Sequence, residues 1–293
     1  MSALRRPLKS LGQNFLVDGN VIDNIIQAAQ IQPDQAVLEI GPGRGALTVH
    51  LAERADRLVL IEFDHALAAW HRDQLKDNGR VTVIDADVLK VDLDALLAET
   101  PQKWNVVANL PYNISTEVLF RLYGVHDRLS RMTLMLQKEV GDRLAAPPDC
   151  SAYGVTTVLL GLWFDISRAF VVHPGSFHPS PKVDSVVLNF IPLAEARAEV
   201  GDEDVFRSVV KSAFSMRRKT LINCLKSAEF AKTVDCAVLL EACGIDGRRR
   251  GETLALEEFA ALSRWVTEQV AMQAHTGGKF VNNPPLDRII SCT

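Results

Sequence analysis

Apolar positions recur along this chain in two alternating rhythms. Short strand-like runs at 36–40, 57–62, 81–84, 105–109 and 132–137 are separated by stretches of helical spacing at 46–54, 65–76, 93–99 and 115–123. Strands that alternate with helices in this way imply an α/β fold with a parallel, doubly wound sheet. Two more strand candidates, 168–172 and 185–190, have no helical stretch between them. They predict an antiparallel hairpin at the sheet edge, with Pro174, Pro179 and Pro181 confining the link to an irregular loop. The sum is a mostly parallel, seven-stranded sheet. Ahead of it, Val21, Ile22, Ile25, Ile26 and Ala29 share one face of a helix. The apolar run 155–164 is too short to span a bilayer and reads as a buried strand.

After Ile191-Pro192 the rhythm becomes helical throughout, at 203–228, 235–243 and 256–272, with Gly244 ending one helix and Gly247 and Gly251 marking a turn. The organisation expected is therefore a sheet domain over residues 1–194, a small helical domain over 195–272, and a tail, 273–293, whose lack of periodicity predicts no fixed structure. A chain of 293 residues has room for both domains. Arg5, Arg6 and Lys9 are not followed by a hydrophobic region, so the start does not read as a secretory signal. Cys150, Cys224, Cys236, Cys243 and Cys292 include no Cys-x-x-Cys pair and no partnering histidine ladder. That excludes a disulfide framework and structural zinc, and predicts a soluble, cytoplasmic, metal-free protein.

The net charge of −4 does not suit indiscriminate polyanion binding, yet positive charge is locally dense. Residues 211–226 hold Lys211, Arg217, Arg218, Lys219 and Lys226 with no acid among them, and Arg248-Arg249-Arg250 follows. Phosphate contact and a solvated basic face both account for these clusters.

Two segments carry chemistry. Glu39-Ile40-Gly41-Pro42-Gly43-Arg44-Gly45 ends the first strand of the alternation in a tight turn, where a nucleotide-like cofactor can approach backbone. The loose glycine template also serves dinucleotides. Glu62 ends the next strand, 21 residues after Gly41, placed to accept from ribose hydroxyls. Asp87 follows the third strand and can accept from an adenine amino group, with Asp85 a rival for that role. So many carboxylates disfavour pyrophosphate and favour S-adenosyl-L-methionine, which has no phosphates and carries a sulfonium cation. The second segment, Asn109-Leu110-Pro111-Tyr112, leaves the fourth strand with an amide, backbone carbonyls and an aromatic face together. An adenine N6 amine is a poor nucleophile because its lone pair is delocalised into the ring. The Asn109 side-chain oxygen and the Leu110 carbonyl can accept from its two N–H groups and localise that lone pair, with Pro111 fixing the backbone and Tyr112 stacking on an unstacked base. Phe177 can stack on the opposite face or belong to the core of a proline-stiffened hairpin. Lys182 in the same loop can meet phosphate.

With these residues in place, the chain resembles the ribosomal RNA adenine N6,N6-dimethyltransferases, bacterial enzymes of which dimethylate two adjacent adenosines near the 3′ end of small-subunit rRNA. The likeness runs from about Lys9 to Leu262. It rests on Leu11-Gly12-Gln13-Asn14-Phe15-Leu16, the glycine loop, Glu62, Asp87, Asn109 to Tyr112, Phe177 to Ser185, Phe214 to Leu221 and Arg249 to Leu254. It implies a Rossmann-like methyltransferase fold and S-adenosyl-L-methionine contacts from Gln13, Asn14, Leu16, Gly41, Gly43, Glu62, Asp87 and Asn109, with S-adenosyl-L-homocysteine as product. It further implies a monomer acting late in assembly on 16S rRNA within the 30S subunit or its precursor. Lys182, Arg217, Arg218, Lys219, Arg248 and Arg249 are the candidate RNA contacts. DNA adenine and glutamine methyltransferases share the logic but show Asn/Asp-Pro-Pro-Tyr, and Leu110 argues against them. Gly251 replaces an alanine usual among the relatives, which reads as a small change at a turn.

Overall fold

The strand expected at 36–40 forms as β2 (Ala36–Ile40), and all five of its residues are buried. Burial on both faces requires cover on both sides of the sheet, which is what helical crossovers between parallel strands provide. The computed structural model describes residues 13–275, so Lys9 to Gly12 of the N-terminal motif and the tail after residue 275 lie outside the described residues.

The chain divides into two compact units, the first holding residues up to 145 and 164–194, the second 146–163 and 195 onward. In the first unit, seven strands lie in the order β4 (Val81–Asp85), β3 (Arg57–Glu62), β2, β5 (Trp104–Asn109), β6 (Leu129–Gln137), β9 (Ser185–Pro192) and β7 (Phe164–Val172). The first five run parallel, while β9 is antiparallel to both neighbours, aligning Ser185 with Gln137 on one side and Val172 on the other. A separate two-stranded pairing joins β1 (Phe15–Leu16) to β8 (Phe177–His178), with Leu16 opposite Phe177. Helices α1 (Gly19–Ala29), α2 (Thr48–Arg54), α3 (His65–Gln74), α4 (Leu93–Leu97), α5 (Ser115–Tyr123) and α6 (Lys138–Leu144) accompany the sheet. Asp18 caps α1 by accepting from the Asn20 and Val21 backbone N–H groups, and Asp64 caps α3 in the same way. One core joins Ile25, Ile26 and Ala29 of α1 to Val37, Leu58, Leu60 and Val107 of the sheet and to Leu16 and Phe177.

The second unit holds α7 (Val155–Gly161), α8 (Glu203–Ala213), α9 (Leu221–Leu225), α10 (Cys236–Ala242) and α11 (Leu256–His275). Two features depart from the sequence reading. The run at 155–164 is not a strand: it is α7 followed by the start of β7, and residues 146–163 group with the helices after 195. A continuous apolar stretch carries no periodicity to separate the two structures. Trp163 Nε1 donates to Glu203 at 2.9 Å and Asp149 N to the Glu252 carbonyl at 2.8 Å, which ties the segment to the later helices. The long helix at 203–228 is broken at 214–220, where the Phe214 ring turns to stack on Phe259, 5.8 Å between centroids. The antiparallel hairpin expected at the sheet edge is present as β9 and β7, with β7 outermost.

Gly251 is not a loose turn position. A Cβ there would lie 2.5 Å from the Ala213 carbonyl oxygen, which belongs to backbone and cannot rotate away. Gly251→Ala should lower stability by roughly 1–3 kcal/mol through overpacking, read as a lower denaturant midpoint. An unchanged midpoint would mean the backbone at Ala213 yields freely.

Candidate active site

Strand order reverses at β2, with β3 and β4 on one side and β5 and β6 on the other. In an open α/β sheet this switch point leaves a crevice beyond the carboxyl ends of the strands. A cavity of about 320 Å³ occupies that place. Gln13, Asn14, Leu16, Gly41, Gly43, Glu62, Asp87 and Asn109 all line it, as do Leu110, Pro111 and Tyr112.

The glycine loop is built for close approach. Gly41 has φ +67°, and a Cβ on Gly43, itself at φ +56°, would sit 3.1 Å from two carbons of the Phe15 ring. Glu62 secures the loop by accepting from the Gly43 N–H at 2.9 Å through one oxygen and from the Asp64 N–H at 2.8 Å through the other. Each carboxylate oxygen can still accept another donor. Burial raises the Glu62 pKa, offset in part by these two bonds. Behind the loop, His71 is 1% exposed and Nε2 lies 3.0 Å from the Gly43 carbonyl. A carbonyl can only accept, so Nε2 carries a proton, and burial lowers the pKa against the opposing effect of that bond.

Glu39 is the most strained titratable group of the wall. It is 2% exposed, accepts from Thr48 Oγ1 at 2.8 Å, and burial drives its pKa up to about 8, with Glu62 adding to the rise. Of the two aspartates, Asp87 faces the cavity, whereas Asp85 lies 2.5 Å from His65 Nδ1 and pairs with Arg72 at 3.8 Å, and is absent from the lining. The arginine of the lining, Arg44, lies over the Phe15 ring at 4.6 Å. With Glu39 protonated, Glu62 and Asp87 beside a single lining arginine fit a cationic ligand without phosphates better than a pyrophosphate.

On the opposite wall, Asn109 Nδ2 donates to the Asn14 carbonyl at 3.2 Å, which turns the amide oxygen the other way. Leu110 N donates to the Met135 carbonyl at 3.2 Å. The Tyr112 hydroxyl lies 2.6 Å from Ser185 Oγ, and burial raises its pKa. The N-terminal segment lines the same cavity, with Gln13 Nε2 donating to Asp64 at 3.2 Å. Among the described residues no cluster of histidine, cysteine or acidic side chains could hold a metal.

Several expected positions are elsewhere. Phe177 does not face the cavity. It is 4% exposed and packs in the core opposite Leu16, because the β1–β8 pairing turns it inward. Lys182 is exposed in the loop before β9 and is not part of the lining. Arg217, Arg218 and Lys219 are exposed on the turn after α8 rather than on a helix, and Arg217 donates to the Ser151 carbonyl at 3.2 Å. Arg249 is committed internally, to Glu258 and to the Thr253 carbonyl at 2.6 Å. Arg248 clasps Asp246 through Nε at 3.1 Å and a terminal nitrogen at 2.9 Å, which holds that aspartate down at about 2. Phe15 and Ser185 enter the resemblance as motif members, but nothing in their local spacing assigns them the support they give to the glycine loop and to Tyr112. His71 carried a weak one, lying at helical spacing from buried Leu67 and Ala68.

A sequence model described as ribosomal RNA adenine dimethylase matches residues 6–267. Proteins named ribosomal RNA small subunit methyltransferase A are 54% identical over 261 residues in Geobacter metallireducens and 54% over 262 in Geobacter sulfurreducens. Both alignments cover 88% of this chain and 95% of the relative. The crystal structure of a dimethyladenosine transferase from Plasmodium falciparum superposes with a TM-score of 0.76 at 26% identity, over 87% of this chain and 98% of that one.

The Glu39 carboxyl yields a pH test. Its native pKa of about 8 exceeds the ordinary 4.5, so the folded chain keeps a proton that the unfolded chain loses between those values. The stability this contributes is whole below the lower value and is lost as pH rises through the higher one. Glu39→Gln removes the loss, so its stability relative to the native chain should grow between pH 5 and 8 by on the order of 3 kcal/mol. Denaturant unfolding at both pH values measures it, and a pH-independent difference would refute the buried, protonated carboxyl.

Proposed function

The chain belongs to the ribosomal RNA adenine dimethylase family, and from that premise we propose that it transfers methyl groups from S-adenosyl-L-methionine to N6 of two adjacent adenosines near the 3′ end of 16S rRNA, four methyls in all. Its substrate is the small ribosomal subunit or its precursor, and it acts in the cytoplasm as a monomer late in assembly.

Bound S-adenosyl-L-methionine would supply an electrophilic methyl on a sulfonium, leaving a neutral thioether. The chain's own residues do the rest. Glu62 is placed to take ribose hydroxyls on the lone pairs that Gly43 and Asp64 leave open, and Asp87 to take an adenine amino group. Gln13, Asn14 and Leu16 close the same cavity from the N-terminal side. The observation that carries the reading is the orientation of Asn109. With its amide nitrogen given to the Asn14 carbonyl, the side chain offers its oxygen as an acceptor in the cavity that holds the cofactor residues. Together with the Leu110 carbonyl it can draw on both N–H groups of the target amine and localise the nitrogen lone pair. No strong general base is needed, because the methylated ammonium is acidic and sheds its proton readily. Tyr112 offers the stacking face, and Phe177 supports from the core rather than clamping the base. Arg217, Arg218, Lys219 and Lys182 are the exposed charges suited to phosphate, whereas Arg248 and Arg249 serve their own carboxylates.

Mass spectrometry of small-subunit rRNA from cells with and without the gene tests the assignment. Two adjacent N6,N6-dimethyladenosines should disappear with it, and their persistence would refute it. Asn109→Ala should cut methyl transfer to assembled subunits by about 10²–10³-fold, the scale of losing one oriented transition-state contact, while cofactor affinity by calorimetry stays within a few-fold. Near-native transfer would remove Asn109 from the chemistry.

A further inference from the structure

Ser185 has no place in the chemistry just described, yet it is wholly buried, 0% exposed, with Oγ 2.6 Å from the Tyr112 hydroxyl. It is the first residue of β9, held from both sides by pairing with Gln137 of β6 and Val172 of β7. The backbone just before it is fixed too, because Lys138 N donates to the Asp184 carbonyl at 2.9 Å. A side chain on so constrained a backbone has little freedom to follow its partner. Tyr112 differs: it stands on the segment between β5 and α5, its ring is half-buried, and it lines the cavity. Its backbone carbonyl takes one weak bond from Ser115 Oγ at 3.3 Å. The firm end of this pair is Ser185, and the end that must be held is the ring.

We infer that Ser185 is a positioning residue for methyl transfer, fixing the Tyr112 ring so that its face meets the target base at the angle the reaction needs. The hydroxyl is why this position carries tyrosine rather than phenylalanine: a phenylalanine ring stacks equally well but cannot be tethered. Fixing the ring beforehand removes the ordering that stacking would otherwise require, so the benefit falls on the reacting complex more than on cofactor binding.

This inference rests on the proposed reaction, but part of its test does not. The chain has three tyrosines, Tyr112, Tyr123 and Tyr153. In protein labelled with 13C at the tyrosine ring, the Tyr112 signal is identified by its loss in Tyr112→Phe. Ser185→Ala should shift and sharpen that signal while the other two stay in place. An unmoved Tyr112 signal would overturn the tether whatever the substrate. In transfer to unmethylated small subunits, Ser185→Ala should lower kcat about tenfold, the scale of a misplaced contact, with cofactor affinity unchanged. Ser185→Thr, which keeps a hydroxyl, should restore most of the loss. Tyr112→Phe should lower kcat alike, and the double variant should be no slower than either single one, since both remove the same bond. Additive losses, or an alanine variant within twofold of the native kcat, would overturn the positioning role. If the native chain itself fails to methylate subunits, the proposed reaction fails, and the ring signal still decides the tether.

Discussion

A single polar contact orients the Asn109 amide on the cavity wall, the bond from its nitrogen to the Asn14 carbonyl. Because a carbonyl cannot donate, this bond decides which end of the amide is left to accept. It also presses the N-terminal segment onto the sheet's carboxyl edge. A half-buried hydrogen bond is worth only about 0.5–1.5 kcal/mol, too little to hold that segment alone. The β1–β8 pairing is two residues long and would be marginal by itself. Packing does the work: burying Leu16 and Phe177 contributes roughly 1.5–3 kcal/mol each. The acceptor geometry therefore depends on a phenylalanine that never faces the cavity.

The second constraint is electrostatic. The cavity wall carries Glu39, Glu62 and Asp87, with Glu39 deep enough to hold its proton at neutral pH. Folding alone would not favour such a cluster, because burying a carboxyl without a counter-charge is unfavourable. With Glu39 neutral, a ligand bearing positive charge meets Glu62 and Asp87, and the same two acids disfavour pyrophosphate, so a glycine loop that could serve a dinucleotide in another setting is biased here towards a sulfonium.

The sheet was largely legible because its signals are local. Alternating strand and helix patterns placed β2 to β6 within a few residues, and the glycines, Glu62, Asp87 and Asn109 sit at strand exits that any parallel α/β sheet turns towards one crevice. What escaped depends on pairings distant in sequence. Phe177 could be wall or core from its own neighbourhood, and only its register with Leu16 decides. Asp85 stands as a rival to Asp87 in the sequence, and only its partners His65 and Arg72 remove it from the role. The apolar run at 155–164 was misread because it has no polar face to report a period, and Gly251 because the carbonyl it must clear lies 38 residues away at Ala213.

Charge in the helical unit follows the same logic. Read along the chain, Arg248-Arg249-Arg250 is the densest basic triplet, but Asp246, Glu258 and Glu252 each take one of its guanidinium groups. Such pairs contribute little to stability at the surface, yet they cancel the local field. Arg217, Arg218 and Lys219 sit on an exposed turn with no acid within the surrounding 211–226 segment, so their field extends into solvent. In a net-negative protein, such an exposed basic turn, with Lys182 the other exposed candidate, offers phosphates a local patch, and the number of counterions released on binding is set by the few cations it presents.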